Sequence, residues 1–195
     1  SAKALRRLGV DNIHLYIPYL LGARSDRHFQ NGGNSYLVDV VAPIINAQGF
    51  RSVTVIDVHS DVAPACISNL IVVDNSSLVD WALNDMSDSD NRIIEGGSDF
   101  TLVSPDAGAL KKIYDLSKTI GYTGDIIVAS KHRDIVSGNI TSTEVPVKGS
   151  QHNRDLVIID DICDGGRTFI EMVKTIRKKQ ESFKTPPNNV YLIVT

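Results

Sequence analysis

Leu156-Val157-Ile158-Ile159-Asp160-Asp161-Ile162-Cys163-Asp164-Gly165-Gly166-Arg167-Thr168 is the stretch on which the fold turns. Four successive apolar residues, three of them β-branched, show no polar alternation, as in a strand buried on both faces of a parallel sheet. They run into paired carboxylates and then a Gly-Gly turn. A helical pattern begins at once, with Phe169, Ile170, Val173 and Ile176 on one face and Lys174, Arg177, Lys178 and Lys179 elsewhere. Strand, acidic loop and helix in that order set the loop at the carboxyl end of a strand, where open α/β sheets bind ligands. Loop amides and the helix N-terminus then form a cradle for a phosphate. Asp160 and Asp161 would repel a bare phosphate, so their task is to accept sugar hydroxyls or to hold Mg²⁺, a hard cation that takes oxygen ligands. An ordinary strand end with a solvated acidic turn is the competing account.

The bulk properties narrow the classes. At 195 residues, 42% hydrophobic and 22% charged, the chain is a globular protein of one ordinary domain or two small ones. Its net charge is −3 and its longest basic run is Arg177-Lys178-Lys179, so no nucleic-acid footprint is expected. Phosphates would be held by local donors and metal rather than by a global positive field. Cys66 and Cys163 match no zinc spacing and are expected as free thiols in a reducing cytoplasm. No apolar run approaches the ~18 residues of a membrane span. The chain opens inside a helical pattern and closes on the buried-strand run Val190–Thr195, so an internal portion of a longer protein is expected.

Around the opening stretch the grammar is α/β throughout. Strands are predicted at Ile13–Ile17, Ser52–Asp57, Thr101–Val103 and Asp125–Ala129, and Ile67–Val73 is an apolar run. Helices are predicted at Ser35–Gln48, kinked by Pro43 and ended by Gly49, at Leu78–Met86, and from Leu110 to Ile120. Pro18–Gly33 is a long polar loop, Ser87–Ser98 a surface connection, and Ser130 opens a polar segment followed by weak strand character from Ile135 to Arg154. Ile13–Asp57 and Leu156–Thr195 repeat one order of elements, as two copies of an α/β half would. Polar clusters also fall at strand ends: His59, Asp106, Lys131 with Arg133, and the loop at 160–168. Carboxyl ends of a parallel sheet share one edge, so clusters within one sheet would converge.

The Asp160–Thr168 segment resembles the ribose-5-phosphate loop of the type I phosphoribosyltransferase family. Other segments are similar, in order, to the ribose-phosphate diphosphokinase branch of that family. They are Pro18-Tyr19 with Ala23-Arg24-Ser25-Asp26-Arg27, Asp57-Val58-His59-Ser60, Val103-Ser104-Pro105-Asp106-Ala107-Gly108 and Lys131-His132-Arg133. The resemblance implies two phosphoribosyltransferase-like halves, each a mostly parallel sheet flanked by helices. Residues 1–75 would be the carboxyl-terminal portion of an ATP-binding half, and 76–195 a ribose-5-phosphate-binding half cut short at its end.

The implied activity is Mg²⁺-dependent transfer of the diphosphoryl group of ATP to the 1-hydroxyl of ribose 5-phosphate. The implied roles are ATP contacts from Arg24, Asp26 and His59, with His59 and Asp106 as metal ligands. Asp106, Ala107 and Gly108 would form the diphosphate loop, and Lys131 and Arg133, opening a mobile loop, would be the catalytic cations. Asp160, Asp161, Asp164, Gly165, Gly166, Arg167 and Thr168 would hold the sugar phosphate. A cytoplasmic homo-oligomer is implied, with no nucleic-acid or membrane partner. Arg167 and Gly165 depart from the family's Gly and Thr, and Ser25 from its Gln. Those departures keep a non-catalytic regulatory homologue in play. A salvage phosphoribosyltransferase is the other alternative, disfavoured because it has no ATP site to build. Taken singly, His59 could be a hydrogen-bonded strand-end histidine, Arg24 and Arg27 a solvated pair, Lys131 and Arg133 exposed cations, and Asp106 a helix cap.

Overall fold

Unbroken apolar runs separated by polar loops produce parallel strands joined by helices, and the computed structural model has that architecture. It describes residues 2–28, 32–86, 100–133, 140–148, 151, 154–182 and 189–195. The chain divides into two compact units, Ser1–Asn75 and Ser76–Thr195.

In the first unit, α1 (Ala2–Arg7) ends in a turn at Gly9 and leads to β1 (His14–Ile17). After the long loop comes a π-helical stretch, Tyr36–Val41, continuing as α2 (Ala42–Asn46), then β2 (Ser52–Ile56), α3 (Val62–Cys66) and β3 (Leu70–Val73). The strands form a parallel sheet of order β1-β2-β3. Its core joins Val53 and Val55 to Leu37, Ala42, Ala63 and Ile67, with Leu15, Ile17 and Leu70 packed alongside.

The predicted Pro43 kink is instead a change of helical pitch. Pro43 has no N–H, so it sits in the first turn of α2, where no donor is required. The preceding turn widens, with Ala42 N–H donating to Leu37 C=O five residues back. Ser35 starts this stretch by accepting Val38 N–H on its Oγ at 3.3 Å while its own N–H donates to Asp39 Oδ2 at 2.6 Å. The short α3, with Pro64 in its first turn, is not predicted from the sequence pattern.

In the second unit the order is α4 (Ser76–Met86), β4 (Phe100–Ser104), α5 (Leu110–Thr119), β5 (Ile126–Val128), β6 (Ser130–Arg133), β7 (Ile140–Glu144), β8 (Asp155–Asp160), α6 (Arg167–Ser182) and β9 (Val190–Val194). The predicted connection Ser87–Ser98 lies outside the described residues. Strands β5-β4-β8-β9, in that order, make an all-parallel sheet, and β6 pairs with β7 in a separate antiparallel ladder.

Alternate residues of β4 and β8 enter two clusters. Val103, Leu156 and Ile158 pack with Phe169, Met172 and Ile176 of α6 and with Val145 and Val147. Leu102, Val157 and Ile159 pack with α4 and α5 through Val79, Leu83, Ile113 and Leu116. Burial on both faces is why Leu156–Ile159 reads as an unbroken apolar run.

One face prediction is corrected. The buried residues of α6 are Phe169, Met172, Ile176 and Gln180, while Ile170 is 54% exposed. At about 100° per residue, 169, 172, 173, 176 and 180 fall on one stripe and 170 lies about a quarter-turn off it.

Candidate functional site

In the first unit, β1 and β2 are parallel neighbours, so the loops that leave their carboxyl ends share an edge. The loop after β1 is fixed by close packing. Gly22 has φ +82°, and a Cβ there would stand 2.6 Å from Tyr36 Cδ1, so only glycine allows the turn. Ser25 C=O accepts Leu37 N–H at 3.0 Å and Ser35 Oγ–H at 3.1 Å, which pins the loop to the start of the π-helical stretch. Arg24 is exposed between the buried Ala23 and the half-buried Ser25.

Asp26 is 8% exposed, and its Oδ2 accepts Ser60 Oγ–H at 2.5 Å, with Arg27 Nε 3.7 Å from Oδ1. This bond ties the loop carrying Arg24 to the loop carrying His59. Asp26 therefore braces the edge from below. No pattern in the sequence reveals that Ser60 would meet a residue 34 positions away.

His59 is half-buried two residues beyond Asp57, which has φ +41°. That left-handed conformation is tolerated by Asp better than by most residues. It is held on both sides: Asp57 N–H donates to Val73 C=O at 2.9 Å, and Asn75 Nδ2–H donates to Asp57 Oδ2 at 3.1 Å.

In the second unit, β4 is flanked by β5 and β8, so three predicted segments leave one edge side by side. After β4, Ser104 Oγ–H donates to Asp106 C=O at 2.7 Å, and Asp106 Oδ1 accepts Ala109 N–H at 3.1 Å. The carboxylate of Asp106 thus closes the turn into α5, and Gly108 leaves it room, since a Cβ at 108 would be 3.2 Å from Asp106 Oδ1. Ala107 and Gly108 are exposed.

After β8, Asp160 is half-buried and Asp161 8% exposed, with Asp161 N–H donating to Asp160 Oδ1 at 2.9 Å. Cys163, Asp164, Gly165 and Arg167 are exposed, and Gly166 and Thr168 half-buried, so the turn is open to solvent. Gly166 has φ +69°, turning the chain into α6, whose first hydrogen bonds include Ile170 N–H to Gly166 C=O at 3.0 Å.

The segment after β5 differs from its prediction. Ser130–Arg133 is a strand rather than the opening of a loop, pairing Lys131 with Thr143 and Arg133 with Ile140, with an irregularity between His132 and Arg133. Its polar composition hides it, because its order comes from a two-stranded ladder and not from burial. The following residues 134–139 lie outside the described residues.

Two hydrogen bonds that nothing in the sequence suggests join α6 to β7 and to the residue that follows it. Thr175 Oγ1–H reaches Thr143 C=O at 3.3 Å, and Lys179 Nζ donates to Val145 C=O at 2.9 Å.

Asp106, Asp160 and Asp161 carry carboxylate oxygens at the second-unit edge, but among the described residues no three His, Cys, Asp or Glu side chains gather closely enough to hold a metal ion, so Mg²⁺ here would need substrate oxygens to complete its shell. Mg²⁺ commonly takes one or two carboxylates and completes its shell with water and substrate phosphates. His59 fits less well, since imidazole is a ligand of softer cations. No described helix is long and apolar enough to cross a membrane.

Parallel strands whose carboxyl ends gather an acidic, glycine-rich turn at a helix start define an α/β class with polar turns along one sheet edge. The phosphoribosyl transferase domain model matches residues 80–182, just over half of the chain, and the chain belongs to that family. Among curated relatives, the ribose-phosphate pyrophosphokinase of Marinomonas sp. (strain MWYL1) is 27% identical over 177 residues, covering 91% of this chain and 52% of the relative. Ribose-phosphate pyrophosphokinase 2 of Archaeoglobus fulgidus is 28% identical over 167 residues, covering 86% and 55%. The chain spans about half the length of the curated relatives it matches. Phosphoribosylpyrophosphate synthetase from Mycobacterium smegmatis shares the fold, with TM-score 0.76 and 18% identity over all of this chain and 57% of that one.

Proposed function

We propose that the protein carrying this chain makes phosphoribosyl diphosphate from ATP and ribose 5-phosphate, releasing AMP. The observation that carries the reading is the adjacency of β4 and β8, which brings the Asp106–Gly108 turn beside the Asp160–Thr168 turn on one sheet edge. The names of the curated relatives support it.

In this reading Asp160 and Asp161 accept the pentose hydroxyls. Asp164 to Thr168, with the first amides of α6, hold the 5-phosphate, and Arg167 adds a guanidinium that can take two phosphate oxygens. The Asp106–Gly108 turn wraps the diphosphate. Arg24 and His59 serve ATP, and Asp26 holds their two loops together. The 1-hydroxyl oxygen attacks the β-phosphorus, the bond from that phosphorus to the α,β-bridging oxygen breaks, AMP leaves, and the hydroxyl proton is released. Lys131 and Arg133 neutralise the charge that develops on the moving group. Mg²⁺, when bound, supplies further neutralisation of the triphosphate. A cytoplasmic setting and self-association belong to the same reading.

The test incubates the complete protein with Mg²⁺, ATP and ribose 5-phosphate and measures AMP. Lys131→Ala is expected to lower AMP release by ~10²–10³ or more while ribose 5-phosphate affinity stays within a few-fold. An unchanged rate in that variant would overturn the assignment.

A second reading, a regulatory homologue without catalysis, is favoured by Arg167. This residue begins α6 where the resemblance calls for Gly, and it stands exposed in the proposed phosphate turn. Arg167→Gly separates the two accounts. Sugar-phosphate binding that weakens in the variant marks Arg167 as a ligand; binding that tightens marks it as an obstruction.

A further inference from the structure

Among the described residues β7 pairs with one strand, β6, so its other edge is open to partners from outside the sheet. Thr143 lies in β7 and Val145 just past its end, where Val145 C=O also accepts Val147 N–H at 2.8 Å as the chain turns away. Both accept from α6, one from the Thr175 hydroxyl and one from the Lys179 ammonium. Thr175 and Lys179 are four apart, so one stripe of the helix runs along the strand. Thr175 has a single hydroxyl proton, which it shares between Glu171 C=O at 2.9 Å in its own helix and Thr143 C=O at 3.3 Å, so the Thr143 contact is the longer arm of one donor. Val145 is fully buried in the same cluster as Met172 and Ile176, so the contact is apolar as well as hydrogen-bonded.

The other end of α6 starts in the Asp160–Thr168 turn. A single helix therefore runs from the acidic turn to the strand that pairs with Lys131 and Arg133. Helices are stiff over four turns, so a displacement of β7 on α6 moves β6 relative to the acidic turn.

We propose that Thr175 and Lys179 are positioning residues: they fix the β6–β7 ladder on α6 and so set the distance between the Lys131/Arg133 strand and the sugar-phosphate turn. The proposal rests on the reaction proposed above. It gives Lys179 a task that its place in a basic helical run would not suggest, since Lys178 beside it is simply exposed.

The experiment uses the complete protein with four variants: Thr175→Val, Lys179→Met, Lys179→Arg and, as a control, Lys178→Met. Loss of either tie is expected to lower kcat for AMP release about tenfold, within the range that a small misplacement of reacting groups produces. KM for ribose 5-phosphate should stay within about twofold, because the turn itself is untouched. Lys179→Arg, which keeps a cationic donor, should recover most of kcat, and Lys178→Met should match wild type.

Hydrogen exchange supplies a readout independent of turnover. Amides of 140–145 should exchange faster in Thr175→Val and Lys179→Met, while those of β4 and β8 stay protected. Unchanged kcat together with unchanged exchange at 140–145 overturns the proposal, as does an Arg variant no better than Met. Failure of Lys131→Ala to affect AMP release defeats the reaction assignment and with it the kinetic part. Failure of the ties alone, with Lys131 essential, defeats only the positioning role.

Discussion

At the scale of single residues, Tyr122 shows how a buried polar group is made to serve the fold. Its hydroxyl lies 3.0 Å from Phe100 C=O and 2.9 Å from Asp125 C=O, accepts Leu102 N–H at 3.4 Å, and its ring stacks on Phe100 at 5.1 Å. It thus fastens the start of β4 to the start of β5. Burial pushes its pKa up to about 12 from an ordinary 10.0; the nearby Asp125 carboxylate adds to this, while the Leu102 hydrogen bond and Arg154 oppose it. The folded state holds the proton more tightly than the unfolded chain. The hydroxyl's contribution is therefore complete below pH 10 and declines as pH rises toward 12. Tyr122→Phe is expected to cost ~1–2 kcal/mol at neutral pH and to remove part of the wild-type loss of stability between pH 10 and 12. Urea unfolding of both proteins across that range checks this, and parallel pH profiles would contradict it. Thr101 is the contrasting case, fully buried with its hydroxyl lacking a hydrogen-bond partner among the described residues.

At the scale of elements, α6 separates what periodicity reveals from what only packing decides. Its existence and direction follow from the sequence, as does burial of Phe169 and Ile176. The edge of its apolar stripe does not, because Ile170 and Met172 are both apolar and flank the same face. The sheet clusters choose Met172, which is 0% exposed against 54% for Ile170. Met172→Ala is accordingly expected to cost ~2–5 kcal/mol, and Ile170→Ala to stay within about 0.5 kcal/mol, as read from denaturant midpoints. Equal losses would mean that the stripe has been drawn wrongly. β6 is the opposite case. Ser130-Lys131-His132-Arg133 has no apolar alternation, and its strand form follows from pairing with β7, a partner seven or more residues further on. The π-helical stretch was hidden for a similar reason: Pro43 announces an interruption, but its form depends on Leu37 being buried and Ser35 capping.

At the scale of the whole molecule, the α/β class, the parallel strands and the polar turns at their carboxyl ends were legible, because a strand covered on both faces needs an uninterrupted apolar run. The turns themselves were legible as chemistry through residue types: carboxylates, glycines and a helix start. Connections made at long sequence range were not. Asp26 to Ser60, Asn75 to Asp57 and Lys179 to Val145 each join residues 18 to 34 positions apart through ordinary polar groups. Each also changes how a predicted site residue is understood. Asp26 is a brace, Asp57 a strained pivot ahead of His59, and the Lys131/Arg133 segment a strand held from outside.

Strand β8 carries an aspartate at each end. Asp155 Oδ1 accepts Asn189 N–H at 2.9 Å at the amino end, Asp160 sits at the other, and four residues buried to 3% exposure or less lie between. A slip of one residue along its neighbours would exchange the side chains facing the two packed clusters and carry the acid pair to the wrong level of the sheet. The loop can therefore stay open and solvent-washed without becoming vague. Its anchorage is the oil-filled middle of the strand, and a substitution deep among those aliphatic groups would blur a solvent-facing constellation that it never touches.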